Sequence, residues 1–180
     1  MNKFPRSAYV HIPFCHRRCF YCDFAVVPLG NKVETLKGYG SKTVKKYLHF
    51  LYKEILSIKH KSPLSTIYIG GGTPSILDPQ QIKQLIDLFK ENYGVDYGAE
   101  ITMEVDPASF NLDDLYGFIN AGINRFSLGV QSFNNQILQK SGRRHLREDA
   151  EKSCLWLNRV YSSGLIKSWS LDLIQNLPLS

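Results

Sequence analysis

Three of the four cysteines in this 180-residue chain fall within eight residues: Cys15, Cys19 and Cys22, spaced Cys-x3-Cys-x2-Cys. The fourth, Cys154, lies far along the chain. A disulfide framework scatters its cysteines through a small secreted chain, whereas clustered thiols read as metal ligands. A structural zinc site needs four closed ligands. No second Cys-x2-Cys or His-x3-His follows, so zinc would have to recruit His11, His16 or Cys154. A [4Fe–4S] cluster also normally takes four thiolates. Three thiolates would leave one iron open to an exogenous ligand that chelates through an amine and a carboxylate.

The elements that position these residues follow from hydrophobic periodicity. Ala8 to Ile12 reads as a strand closed by Pro13. Thr43 to Ile58 places Val44, Tyr47, Leu48, Leu51, Ile55 and Ile58 at helical spacing. Thr66 to Ile69 is a β-rich run ended by Gly70-Gly71-Gly72. A helix then opens with Asp78 as N-cap, Pro79 at its first position and Gln81 at its third, and stops near Tyr93 before Gly94. Glu100 to Val105 is a strand; Asn111 caps a helix from Leu112 to about Ala121. Arg125 to Val130 is a strand, Asn134 to Gln139 and Arg147 to Asn158 are helical, and Trp169 to Ile174 is a last strand. Val26 to Ser41 is expected to be a long loop.

Five β units joined by helices predict parallel strands with right-handed crossovers, an α/β fold of the (β/α) barrel kind. In such barrels, chemistry sits on loops after the C-terminal ends of strands. The unusual segments lie there. The cysteines follow the first strand and Gly70-Gly71-Gly72-Thr73-Pro74 follows the second. Glu104 ends the third, Gln131 follows the fourth and Asp172 lies within the fifth. These polar residues should converge on one rim. The triple glycine permits close backbone approach. It lacks the Gly-Lys-Ser/Thr ending of a phosphate loop.

Several of these residues also have plain structural readings. Tyr9 would serve as a core aromatic on the first strand, and Glu104 in a structural ion pair. Asp172 sits between Leu171 and Leu173, where a buried carboxylate needs partners. His145 reads as a loop or cap residue. Cys154, beside Leu155 and Trp156, reads as a small core residue. Arg17 and Arg18 read as solvent-facing loop residues.

The net charge of +6 is localised. Residues 32–61 hold eight Lys and two Glu, and the rest of the chain is neutral. Such a segment could meet nucleic acid or anionic lipid; it is read here as a solvated helix face, and no nucleic-acid partner is expected. Apolar content of 43% with 12% aromatics excludes disorder. No run of 18 apolar residues exists for a transmembrane helix, and no apolar signal region follows Met1 to Ser7. The expected compartment is the cytoplasm.

The segment from Tyr9-Val-His-Ile-Pro-Phe-Cys15 through Cys19-Phe-Tyr-Cys22-Asp-Phe24 resembles the radical S-adenosylmethionine (SAM) superfamily. Further segments match in order: Ile69-Gly-Gly-Gly-Thr-Pro-Ser75, Glu100 to Pro107, Gly122 to Phe133, Gly142-Arg-Arg-His145 and, more weakly, Ser170 to Ile174. Within the superfamily the chain is similar to the branch holding oxygen-independent coproporphyrinogen III oxidase and the heme chaperone HemW. The resemblance implies a partial TIM-like barrel of radical SAM type. It also implies that Cys15, Cys19 and Cys22 hold a [4Fe–4S] cluster capped by SAM. It places Gly71, Gly72, Thr73, Glu104, Gln131, Arg143 and Asp172 around SAM, with Tyr9 and Tyr21 nearby. Carboxylates suit the ribose hydroxyls or methionine amine of that cofactor, and Arg suits its carboxylate.

Oxidase-like members resemble Cys-x3-Cys-x2-Cys-x-Cys, where this chain has Phe24 in Cys22-Asp23-Phe24. That form resembles the chaperone branch and implies heme as cargo, with an electron donor and a heme acceptor as protein partners. The alternative is an oxidoreductase acting on coproporphyrinogen, and a plain zinc module is the reading from another class. Family members run on past Leu177-Pro178-Leu179-Ser180, so residues 1–180 read as an incomplete radical SAM core without the family's C-terminal units and domain.

Overall fold

The computed structural model describes residues 5–30, 41–58 and 62–177. Five parallel strands form one sheet: β1 (Ser7–Ile12), β4 (Leu64–Gly71), β5 (Val95–Val105), β6 (Arg125–Gln131) and β7 (Ser168–Leu173). Between β1 and β4 lie a two-residue ladder, β2 (Phe14–Cys15) with β3 (Val27–Pro28), and helix α1 (Lys42–Ser57). A 3-10 turn (Pro74–Ile76) and α2 (Pro79–Asn92) join β4 to β5. The helix α3 (Leu112–Ala121) joins β5 to β6; α4 (Asn135–Lys140) and α5 (Arg147–Ser162) join β6 to β7.

The spatial order β1-β4-β5-β6-β7 is the chain order of the sheet's strands. With right-handed crossovers throughout, that order stacks every helix on the same face. The result is a singly wound barrel wall, as the sequence predicts. Val10, Ile12, Ile67, Ile69, Ile101, Met103, Val105, Phe126, Leu128 and Val130 are buried beneath the helices. The helices answer with Val44, Leu48 and Ile55, with Ile82, Leu85 and Ile86, and with Leu115 and Phe118. Leu157 and Val160 of α5 complete this core.

Helix starts follow the cap residues. Asp78 accepts from Gln80 N and Gln81 returns a bond to Asp78 N, a capping box before Pro79. Asn111 and Asp114 exchange the same pair of bonds at α3. Gly122 ends α3 in the left-handed conformation.

The structure corrects some expectations. The strand expected from Glu100 begins at Val95 instead. Ile58, expected at helical spacing in the first helix, follows the end of α1 and is exposed. Val27 and Pro28, expected in a loop, form β3. Lys42, Lys45, Lys46 and Lys53 lie on the exposed side of α1, in keeping with a solvated face. Lys32, Lys37, Lys59 and Lys61 lie outside the described residues.

Candidate functional site

The cysteines occupy a loop held at several points. Val27 N donates to Pro13 O at 2.7 Å, Leu29 N to Cys15 O at 2.8 Å and Gly30 N to His16 O at 2.9 Å, closing the small β2–β3 ladder. His11 Nε2 lies 2.9 Å from Ala25 O. Arg18 Nε donates to Cys22 O at 2.8 Å. Arg17 Nε donates to Gly142 O at 2.7 Å, and its Nη2 reaches Arg143 O. Both arginines are exposed, as read from the sequence, and they also tie the loop down. Arg18 braces it internally, and Arg17 binds it to the turn before α5.

The glycine segment after β4 lies against this loop. Gly72 N donates to Ile12 O at 2.8 Å, and Thr73 N to Phe14 O at 2.7 Å. A Cβ on Gly72 would sit 2.7 Å from Phe14 O and 3.0 Å from Cys15 Sγ, so no side chain fits there. Gly71 adopts φ +114°, and a Cβ there would meet the His11 ring at 2.6 Å. Thr73 Oγ1 points its donor at Cys15 Sγ, 3.6 Å away. Burial pushes the Cys15 thiol up in pKa, the Thr73 bond opposes this, and the neighbouring Cys22 and Cys19 add to it.

The sheet face opposite the helices carries the remaining polar groups. Because side chains alternate, Glu104 faces away from Met103 and Val105. Its Oε1 accepts from Tyr68 Oη at 2.8 Å and its Oε2 from Gly71 N at 3.0 Å. Ser127 Oγ donates to Asp172 Oδ2 at 2.9 Å. Gln131 ends β6 at φ 68°, where the β6–β7 register shifts. Arg143 Nη1 faces Cys19 Sγ at 3.8 Å. Its Nη2 reaches Gly129 O at 2.6 Å and pairs with Asp106. Burial works against the guanidinium charge, but Asp106, then Tyr21 and Cys19, raise its pKa above the ordinary value.

These groups enclose one cavity of about 210 Å³. Cys19 and Cys22 line it from the loop, together with Tyr21 and Phe24. From the strand ends come Gly71, Gly72, Thr73, Glu104, Gln131 and Asp172, with Arg143 from the turn before α5. The convergence expected from the sequence is present.

Two of the expected site residues stand off the cavity wall. Cys15 sits behind it, against Gly72 and Thr73. Tyr9 is neither a core residue nor part of the lining. It is 59% exposed and stacks on Tyr68, with ring centroids 6.0 Å apart, and so supports Glu104 at one remove. Other plain readings also change. Glu104 is held by hydrogen bonds rather than an ion pair. Asp172 is exposed rather than buried. His145 does lie in a loop, but it is buried, with both ring nitrogens engaged. Cys154 packs against the core as read, though it is only half-buried, beside a surface groove it shares with Leu155 and Trp169.

Asp106, Ser127 and Gly129 also line the cavity, and sequence reading assigned them no role. The available signal was a two-residue step: Asp106 follows Glu104 just past the strand, and Ser127, Gly129 and Gln131 alternate along β6.

Among the described residues, no three His, Cys, Asp or Glu side chains come together in an arrangement that would hold a metal ion. The donor set does suit a larger thiolate-bound group. Hydrogen-bond donors from Thr73 and Arg143 point at two sulfurs, and the bare Cα of Gly72 lets the glycine segment lie directly against Cys15. Among the described residues, Arg143 Nε is buried and has no hydrogen-bond partner.

Residues 9–168 match the family model of the Radical SAM superfamily, and the chain belongs to that superfamily. It is 41% identical over 175 residues to the heme chaperone HemW of Synechocystis sp.. It is 37% identical over 180 residues to the oxygen-independent coproporphyrinogen III oxidase of Escherichia coli K12. Each match covers 97% of this chain, but 40% of the first relative and 36% of the second. The solved coproporphyrinogen III oxidase HemN of Escherichia coli superposes with a TM-score of 0.79 at 34% identity, over 97% of this chain and 38% of that one. The chain thus spans about two fifths of the length of the relatives it matches. No helix among the described residues is long and apolar enough to cross a membrane.

Proposed function

We propose that residues 1–180 form the [4Fe–4S]- and SAM-binding part of a protein that handles heme, with transfer of heme favoured over oxidation of coproporphyrinogen. The observation that carries this reading is the single cavity shared by Cys19, Cys22, Gly71, Glu104, Gln131 and Arg143. When bound, the cluster would supply an open iron for an amine and carboxylate, and an electron. The chain's own residues would do the rest. Cys15, Cys19 and Cys22 would hold the cluster, with Cys154 uninvolved. Gly71 and Gly72 would let backbone approach the methionine end of SAM. Glu104, already accepting from Gly71 N, would take the amine. Arg143 would take the carboxylate. Asp172 and Gln131 would face the ribose.

The preference for heme transfer rests on Phe24. It lines the cavity mouth where the oxidase pattern has a fourth cysteine, and a phenyl ring supplies neither a ligand nor a redox thiol. HemW of Synechocystis, 41% identical, supports the same side. The heme acceptor and the electron donor would be proteins, and the cytoplasm would be the compartment.

The test has two stages. Anaerobic reconstitution with iron and sulfide, read by absorbance and electron paramagnetic resonance, should load a cluster in wild type and Cys154→Ala but not in Cys22→Ala. A longer chain covering the family's full length would then be titrated with heme and assayed with coproporphyrinogen III. SAM-dependent decarboxylation without stable heme binding would establish the oxidase reading instead. A colourless chain that retains zinc would remove both.

A further inference from the structure

We propose that His145 is the positioning residue of Arg143, a neutral post that aims the guanidinium at the cavity; this rests on the assignment of Arg143 to SAM.

His145 follows Arg143 by two residues in the turn before α5, and its side chain has no solvent exposure. Its Nε2 lies 3.0 Å from Val130 O, and its Nδ1 lies 3.2 Å from Arg143 Nη2. A carbonyl only accepts and a guanidinium only donates. The pair of partners therefore fixes the tautomer. Nε2 carries the proton and donates to Val130, and Nδ1 offers its lone pair to Arg143. Asp106 Oδ2 is 3.9 Å from Nδ1, too far for a hydrogen bond, so Asp106 grips Arg143 and not the imidazole.

The ring thus joins two parts of the site. Val130 lies on β6 between Gly129 and Gln131, both of which line the cavity. Arg143 comes from a different element, and its Nη1 faces Cys19. Nη2 meets three acceptors: Asp106 Oδ2, Gly129 O and His145 Nδ1. With only two protons on that nitrogen, the acceptors leave it no freedom to swing, while Nε stays unengaged. A flexible side chain is held as a fixed fork, which lowers the ordering required when an anion binds. A mere cap or filler at residue 145 would not require a lone pair at the Nδ1 position.

Three variants separate these roles. In His145→Asn, the amide oxygen takes the place of Nδ1 and can still accept from Arg143. In His145→Gln, the longer amide reaches Val130 O but offers Arg143 no acceptor there. His145→Ala removes both. Each would be loaded with iron and sulfide and titrated calorimetrically with SAM, alongside iron content and thermal melting. The Ala and Gln variants should bind SAM about ten-fold more weakly at unchanged iron content, with Asn close to wild type. SAM binding by the Gln variant equal to wild type would overturn the proposal.

Nitrogen-15 NMR of the unloaded chain gives a readout that needs no cofactor. The His145 ring should show the Nε2–H neutral tautomer, and the Arg143 guanidinium protons should exchange slowly in wild type and Asn but not in Gln. If iron-loaded wild type binds no SAM, the assignment of Arg143 to SAM fails while the positioning role still stands or falls on these spectra. An Nδ1–H tautomer, or equal guanidinium exchange in the Asn and Gln variants, would overturn it.

Discussion

The two faces of the β1-β4-β5-β6-β7 sheet are built from alternate residues of the same strands, yet they are held by different physics. Under the helices stand aliphatic residues and Phe126, closed off from water. On the opposite face stand Tyr9, Tyr68, Thr102, Glu104, Arg125, Ser127, Ser170 and Asp172. Neighbouring strands share register there: Tyr9 with Tyr68, Thr102 with Arg125, and Ser127 with Ser170. That face is linked by hydrogen bonds: Arg125 donates to Thr102 and Ser170, Ser127 to Asp172 and Tyr68 to Glu104. One face supplies stability through burial; the other keeps polar groups ordered at the rim where the cysteines lie. Adjacent positions on β6 should therefore respond very differently. Phe126→Ala should cost about 3–5 kcal/mol of unfolding free energy, and Ser127→Ala about 1 kcal/mol. Urea denaturation of the unloaded chain checks both, and equal losses would erase the distinction.

The next largest effect lies where the polar side is most enclosed. Arg143 and Asp106 form an ion pair with side-chain exposures of 11% and 21%. Asp106→Ala strands a largely buried guanidinium and should cost about 2–3 kcal/mol. Asp106→Asn keeps an acceptor and should cost less. If both variants melt like wild type, the pair contributes nothing and the rim is held by backbone contacts alone.

Acid should act on the same cluster. Burial lowers the His145 pKa below its ordinary value; Asp106 pulls it up and Arg143 pushes it down further, while Asp149 pulls up weakly. Well above the ordinary His value of about 6.5 the ring is neutral both folded and unfolded and contributes no pH dependence. Below that, the unfolded chain takes up the proton first, so stability falls as pH falls toward the folded value. One such proton gives a slope of at most about 1.4 kcal/mol per pH unit. His145→Asn should flatten the stability profile by that component between pH 6.5 and 5, measured by urea denaturation at each pH. An identical slope in the variant would mean that other groups carry it.

The helices and the strand order were legible because period and caps are local signals. Asp78-Pro79 and Asn111 marked the starts of α2 and α3 to the residue. The cysteine spacing and the strand-end positions of Glu104 and Gln131 located the rim. Other features were hidden for stated reasons. The β2–β3 ladder has two residues per strand, too few to show a period. The early start of β5 passes through Asp96 and Gly98, which read as loop, and pairs through a register shift between Leu64 and Thr66. Asp106 and His145 gain their roles from Arg143, and the Asp106 contact joins residues 37 apart in sequence. Nothing local announces such a contact.

The smallest effect tests where the ordering of the polar face meets backbone strain. Gln131 holds φ 68° at the end of β6, a conformation that costs a non-glycine residue about 1 kcal/mol or more. Its carbonyl accepts from Ile174 N at 3.1 Å, anchoring the chain after β7. Its side chain folds back over Gly129, with Nε2 3.1 Å from where a Cβ would stand on that glycine. The amide thus roofs the bare backbone of β6 and faces the cavity. Gln131→Gly relieves the strain but increases the freedom of the unfolded chain, so the net gain should stay within about 1 kcal/mol. Because the variant also loses the amide proposed to face the ribose, it should bind SAM more weakly than wild type in calorimetric titration of the iron-loaded chain. Unchanged stability together with unchanged SAM binding would make the left-handed turn at Gln131 a feature of the β6–β7 register alone.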